Sequence, residues 1–237
     1  MALPKLTTPT YELEIPSTDA KVKYRPFLVK EEKILMMAME SKKNADIVQA
    51  VKDIVSECTF NKVDMSDLPM FDVEYIFLNI RAKSVGEVSK LKLLCQDDKK
   101  TYADVEINLN EVKVQVGEDH TNKIELDNGM GMIMAYPTID SFKESGIKDI
   151  NASNMLDVIS SCVLQIYEEE GKKTYDSKDQ TKKELTDFIE QLSTKQFKDV
   201  QKFFETMPKL KHEITITNPK TKKDSKITLT GLNDFFG

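Results

Sequence analysis

Val88-Ser89-Lys90-Leu91-Lys92-Leu93-Leu94-Cys95-Gln96-Asp97-Asp98-Lys99-Lys100-Thr101-Tyr102-Ala103-Asp104-Val105-Glu106-Ile107-Asn108-Leu109 decides how this chain folds. Leu91, Leu93 and Cys95 recur at a spacing of two, and so do Val105, Ile107 and Leu109. Successive side chains of a strand point to opposite faces, so this period marks two half-buried strands. Gln96 to Lys100 between them is polar throughout and predicts a hairpin with a charged tip. Further strands are expected at Val112–Val116, Lys123–Leu126 and Met132–Tyr136, with Asn128-Gly129 as a hairpin-turn signal. The pattern returns near the end. Leu210, His212, Ile214 and Ile216 share a face, Asn218 to Asp224 is a polar tip, and Ile227 and Leu229 lead back. At the start, Tyr11, Leu13 and Ile15 alternate with Glu12 and Glu14; Pro16-Ser17-Thr18-Asp19 turns the chain, and Val22 and Tyr24 resume before Pro26.

Between these hairpins the period is helical. Ile34, Leu35 and Ala38 follow Glu31, with Met36, Met37 and Met39 filling in; Met36 and Met37 are expected in the core, with a binding groove of flexible thioethers as the alternative. After a break at Ser41-Lys42-Lys43-Asn44, Asn44 reads as an N-cap for a stripe of Ile47, Val48, Val51, Ile54 and Val55. Asp67-Leu68-Pro69-Met70 opens a third helix to about Ser84, apolar nearly all round and therefore central. Met155, Val158, Ile159, Cys162, Val163 and Ile166 predict one helix, followed by an exposed tip at Glu168 to Lys173. Leu185, Phe188, Ile189 and Leu192 predict another. Thr194 is expected to cap a last one carrying Phe197, Val200, Phe203 and Phe204 before Pro208. Strands in hairpins, segregated from helices, imply an α+β fold: antiparallel β-hairpins and a small central sheet flanked by helices. Composition shifts divide it as 1–86 (hairpin plus helices), 87–137 (β-rich) and 138–237 (helices ending in a hairpin), or leave one compact domain overall.

The 237 residues suffice for a sizeable core, and 40% hydrophobic with 31% charged is ordinary globular composition. No apolar run approaches a membrane helix, and Met1-Ala2-Leu3-Pro4-Lys5 lacks the apolar core of a signal peptide, so the chain is expected to stay where it is made. Cys58, Cys95 and Cys162 are odd in number and widely spaced, the pattern of free thiols. The net charge is −6, yet Lys195 to Lys226 holds nine lysines against Asp199, Glu205, Glu213 and Asp224. Arginine occurs only at Arg25 and Arg81, and tryptophan is absent. With guanidinium forks confined to two positions outside it and one strong stacking platform missing, the basic stretch reads as a solvated lysine face and not a nucleic-acid surface.

Little catalytic chemistry is visible. Of two histidines, His120 lies in a polar turn and is expected solvated, and His212 lies on an apolar strand face as a packed imidazole. Neither Cys58 nor Cys95 has a nucleophile motif around it, and Gly129-Met130-Gly131 lacks the strand–loop–helix context of a phosphate loop. No acid–base or nucleophilic constellation and no cofactor site is expected.

Several phrases carry a resemblance. Tyr24-Arg25-Pro26-Phe27, then Lys30-Glu31-Glu32-Lys33-Ile34-Leu35, is similar to the start of the baseplate hub assembly proteins of T-even-type bacteriophages (myoviruses). So are Leu68-Pro69-Met70-Phe71-Asp72-Val73-Glu74-Tyr75-Ile76-Phe77-Leu78, Ile80-Arg81-Ala82-Lys83-Ser84-Val85-Gly86-Glu87 and the closing Leu232-Asn233-Asp234-Phe235-Phe236. The resemblance implies a protein without enzymatic activity or cofactor that promotes assembly of the baseplate central hub. Its partners would be other hub proteins, in the host cytoplasm or in the finished tail baseplate, with no nucleic acid or membrane involved. A permanent virion subunit and a tail-associated hydrolase are the alternatives. The resemblance also implies that the two charged tips are ribbon-like, of a degenerate zinc-ribbon type. A zinc site of four thiolates would sit at Cys95, Asp98, Asn218 and Thr221, where one thiolate of four remains, so no metal is expected. The candidate partner-binding residues are Lys220, Lys222 and Lys223, to steer an acidic partner, and Phe235 and Phe236, to anchor it.

Overall fold

A computed structural model describes residues 6–66, 68–139, 141, 155–168 and 172–236. It is a mixed α+β structure of small antiparallel sheets and helices, in two compact units. One unit comprises 1–65, 71–115 and 209–237, the other 66–70 and 116–208. The boundaries 1–86, 87–137 and 138–237 follow runs of like secondary structure. The compact units instead join stretches far apart in the chain, because the last hairpin returns to the first half.

In the first unit, β1 (Tyr11–Glu14) pairs with β2 (Lys21–Tyr24), placing Leu13 against Val22 and Tyr11 against Tyr24. Helices α1 (Val29–Ser41), α2 (Asn44–Cys58) and α3 (Met70–Val85) follow. Helix α3 buries Phe71, Val73, Ile76, Phe77, Leu78, Ile80 and Ala82, as its all-round apolarity requires. Lys43, not Asn44, is the N-cap residue of α2; Asn44 is already helical. Hairpin β3 (Val88–Leu94) with β4 (Tyr102–Asn108) has Leu91 opposite Val105 and Leu93 opposite Ala103. The strand β10 (Lys209–Thr217) lies between β11 (Asp224–Thr230) and the short β5 (Lys113–Gln115). A final helix α7 (Gly231–Phe236) closes the chain. Leu78, Leu91, Ile107, Leu109, Leu210, Leu229 and Phe235 form one core from both hairpins, α3 and α7.

The second unit is a four-stranded sheet, β6 (Lys123–Glu125), β7 (Gly131–Met134), β8 (Val163–Glu168) and β9 (Lys173–Asp176), in that order, with α4 (Met155–Ser161), α5 (Lys182–Glu190) and α6 (Thr194–Thr206). Asn128 and Gly129 both have positive φ, 60° and 72°, as a tight hairpin turn demands. Ile124, Met132, Met134, Ile159, Cys162, Val163, Ile189, Val200 and Phe203 make the core.

Four further local expectations are corrected. The single helix through Met155 and Ile166 is a helix to Ser161 and then a strand. The strand β8 has a partner on each side, with Ile166 opposite both Met132 and Tyr175, and a short apolar run cannot tell a buried strand from a buried helix. The N-cap of α6 is Ser193, which exchanges a capping box with Gln196; Thr194 is its first helical residue. The methionines of α1 are exposed, Met36 at 57% and Met37 at 60%, because α1 buries only Glu31 and Ala38. His120 is half-buried, as described below. The strands β8 and β9 pair as far as Glu168 and Lys173, and 169–171, in the expected tip, lie outside the described residues.

Candidate functional site

The tips of the two charged hairpins meet. Asp97 on the β3–β4 tip accepts a hydrogen bond from the Asn218 side-chain amide at 2.8 Å and another from the Thr221 hydroxyl, both on the β10–β11 tip. Asn218 is fully buried, and its own Oδ1 accepts the Lys220 and Thr221 amides at 2.8 and 3.2 Å. The residue therefore ties its own turn and the neighbouring one together. Asp98 looks inward to its own turn, accepting from the Lys100 and Thr101 amides, each at 3.0 Å, and from the Thr101 hydroxyl at 2.6 Å. Beneath the seam lie Cys95, Ala103 and Ile216, backed by Leu93, Val105, Ile214 and Ile227.

The electrostatics follow from these bonds. Donation by Asn218 and Thr221 holds the Asp97 carboxyl below the usual carboxylate range, and Thr101 and Lys100 do the same for Asp98. Burial, with the Asp97 and Asp98 charges beside it, pushes the Cys95 thiol up, so it stays protonated and inert. The structure thus brings Cys95, Asp98, Asn218 and Thr221 to one junction, but it is Asp97 that spans it. Among the described residues, no group of three or more His, Cys, Asp or Glu side chains could hold a metal ion. One thiol, a carboxylate taken up by its own turn, an amide and a hydroxyl do not make a zinc set.

Lys220, Lys222 and Lys223 are exposed on the second tip, and Lys99 and Lys100 on the first. The five lysines stand on the tips beside the carboxylates of Asp97, Asp98 and Asp224, so the tips carry more cationic than anionic side chains. Phe235 is elsewhere. It is fully buried, and its carbonyl accepts the Ser89 hydroxyl at 2.7 Å near the root of β3, roughly 20 Å along the strand from the tip at about 3.3 Å per residue. Lysines and Phe235 therefore do not form one surface. The side chain of Phe236 lies outside the described residues.

The phrases that carried the resemblance are structural in this fold. The Arg25 guanidinium meets Glu31 at 3.0 Å, and Lys30 joins Glu31 at 3.1 Å. Glu31, 2% exposed, also accepts the Leu28 amide at 2.7 Å at the start of α1. Burial works against both charges, but the hydrogen bonds between them prevail: the Glu31 carboxyl is held low and the Arg25 guanidinium raised. Ser84 on α3 accepts the Phe27 amide at 2.9 Å. The pair Arg25–Glu31, six residues apart, was a legible signal that pattern reading passed over.

In the second unit, His120 is packed and not solvated. Thr206 donates its hydroxyl to the Lys202 carbonyl at 2.7 Å, so its oxygen is left to accept from His120 Nδ1 at 2.9 Å; His120 Nε2 then accepts from the Tyr136 hydroxyl at 3.0 Å. Burial keeps the ring's pKa down, and Tyr136 and Phe203 stack around it. A solvent-open groove of about 400 Å³ runs beside it, lined in part by Lys123, Glu125, Asp199 and Lys202. Lys123 pairs with Glu125 at 3.2 Å, and both imidazole nitrogens are already engaged. Neither nitrogen of His120 is therefore free to act as a base at the groove.

Fold and site together describe an α+β protein whose most elaborated polar cluster locks two hairpins to each other and leaves their lysines to solvent. The chain belongs to the T4 bacteriophage base plate protein family, whose model matches residues 8–237. No curated protein and no solved structure matches it. Family membership makes it a phage baseplate protein that interacts with other baseplate proteins, in a structural or assembly role. No helix among the described residues is long and apolar enough to cross a membrane.

Proposed function

We propose that the chain promotes assembly of the baseplate central hub by protein–protein contact, without catalysis or a cofactor, in the cytoplasm of the infected host. The observation that carries this reading is the locked pair of hairpin tips, with Lys99, Lys100, Lys220, Lys222 and Lys223 exposed around a seam whose carboxylates are engaged within the tips. A preorganised cluster of ammonium groups steers an acidic surface at low cost in ordering, and the steering weakens as salt rises. Lys220, Lys222 and Lys223 are the contact residues in this reading, and the partner is an acidic face of a hub protein. The tips themselves are a metal-free counterpart of a zinc ribbon, with Asp97, Asn218 and Thr221 holding together what four thiolates would hold.

The test is the triple variant Lys220→Glu, Lys222→Glu, Lys223→Glu in infected cells. Hub assembly, followed by sedimentation of baseplate intermediates, is expected to fail while thermal unfolding of the purified chain is unchanged. Normal assembly would remove the tips as the docking surface. Recovery of the chain in purified tails at a fixed ratio would assign it to the finished baseplate as a permanent subunit.

A further inference from the structure

Helix α1 leaves an apolar face uncovered. Val29 is 79% exposed, Met36 57%, Met37 60% and Met39 48%. Ile34, 44% exposed, lies on another side of the helix; exposed apolar residues scattered singly are ordinary, but these four on one side of a 13-residue helix are a patch. At about 100° per residue, Val29, Lys33, Met36 and Glu40 fall on one narrow strip of α1, with Met37 on one flank and the exposed Glu32 and Met39 on the other. Lys33 and Glu40, both exposed, stand two turns apart, and neither forms an ion pair with another described residue. Lys30, at the edge of the strip, is turned away to Glu31 and Glu57.

This arrangement is self-complementary in one orientation only. Laid antiparallel on a second α1, about a two-fold axis between Met36 and Met37, Lys33 of each copy faces Glu40 of the other. The methionines of both copies meet between the two ion pairs. Laid parallel, Lys33 meets Lys33 and Glu40 meets Glu40, and like charges repel. We propose that α1 is a self-association surface, through which two copies of this chain pair antiparallel with Met36 and Met37 at the centre and Lys33–Glu40 pairs on either side. A two-fold contact uses the same patch on both copies, which is what a strip with opposite charges at its two ends supplies. Methionine suits such a contact, since its flexible thioether fills an irregular seam. One short helix per copy buries less than the roughly 1,200 Å² of a standard interface, so the pairing is weak and reversible. It does not depend on the hairpin tips or on any hub partner.

Sedimentation velocity of the full chain from about 1 to 300 µM, the range in which sub-standard interfaces form and dissociate, reads the association directly. Lys33→Glu and Glu40→Lys, both at exposed positions, are each expected to weaken it at least tenfold with the circular dichroism spectrum unchanged. The double variant Lys33→Glu, Glu40→Lys should restore it. The two single variants should associate when mixed, because one then carries two carboxylates and the other two ammonium groups on the strip. A wild-type chain that stays monomeric, a dimer indifferent to the single variants, or single variants that do not associate on mixing would each overturn the proposal. So would a monomeric chain whose Met36→Glu variant loses binding to a different baseplate protein, since the face would then have another occupant.

Discussion

Replacing Asn218 tests the joined tips most directly. In Asn218→Ala the bond to Asp97 and both acceptor bonds to the Lys220 and Thr221 amides disappear. Hydrogen bonds to charged groups contribute more than neutral ones, but Asp97 and the tip amides can recover water, which discounts the loss to about 2–3 kcal/mol in all. Asn218→Asp is the sharper probe. It preserves an acceptor for the two amides but puts a second carboxylate against Asp97 in place of a donor. Two carboxylates in contact cannot both ionise without cost, so this variant should be less stable than Asn218→Ala at pH 7. The sign with pH separates the effects. The wild-type Asp97 carboxyl is held low in the fold, so its contribution is present above the unfolded carboxylate value and lost as pH falls through the folded one. The penalty in Asn218→Asp runs the other way, easing as acid protonates one of the two groups. Urea unfolding at pH 7 and at about pH 4.5, just above the ordinary carboxylate range, isolates the second effect, because the wild-type contribution is still present at both. An Asn218→Asp chain as stable as wild type at pH 7, or a gap to Asn218→Ala that does not narrow in acid, would refute the pairing of the tips.

Three other changes have defined outcomes. Glu31→Gln leaves Arg25 buried without its counter-charge and should cost about 3 kcal/mol at pH 7, by the measured cost of breaking buried pairs. Because the Glu31 carboxyl is held low, the difference from wild type should vanish as pH falls through its folded value, which urea titrations across acid pH would show. Phe235→Ala empties a fully buried site and should cost about 3–5 kcal/mol, whereas a free docking tail would leave the unfolding midpoint unmoved. All three thiols are buried, with Cys58 pushed up to about 11 and Cys162 to about 12 by burial, so a thiol reagent should titrate none natively and all three in denaturant.

What the sequence by itself determined are the features written in consecutive residues. The period of two in Val88–Leu109 and in Lys209–Thr230 specified both hairpins and their inner faces, since alternation along a strand is local geometry. Asn128-Gly129 specified a turn because few residues accept positive φ twice running. The apolar girdle of α3 required burial on every side. Tertiary structure decided whatever depends on what lies opposite. Val163 to Glu168 became a strand because β7 and β9 flank it. The methionines of α1 stayed exposed because the rest of the chain covers only the side with Glu31 and Ala38. His120 was packed by Thr206, eighty-six residues away, and Phe235 was buried by a core drawn from both hairpins. Of two adjacent aspartates on one tip, Asp97 crosses to the other hairpin and Asp98 closes its own turn. No local pattern distinguishes them, because the choice is made by a partner more than a hundred residues further along the chain, Asn218.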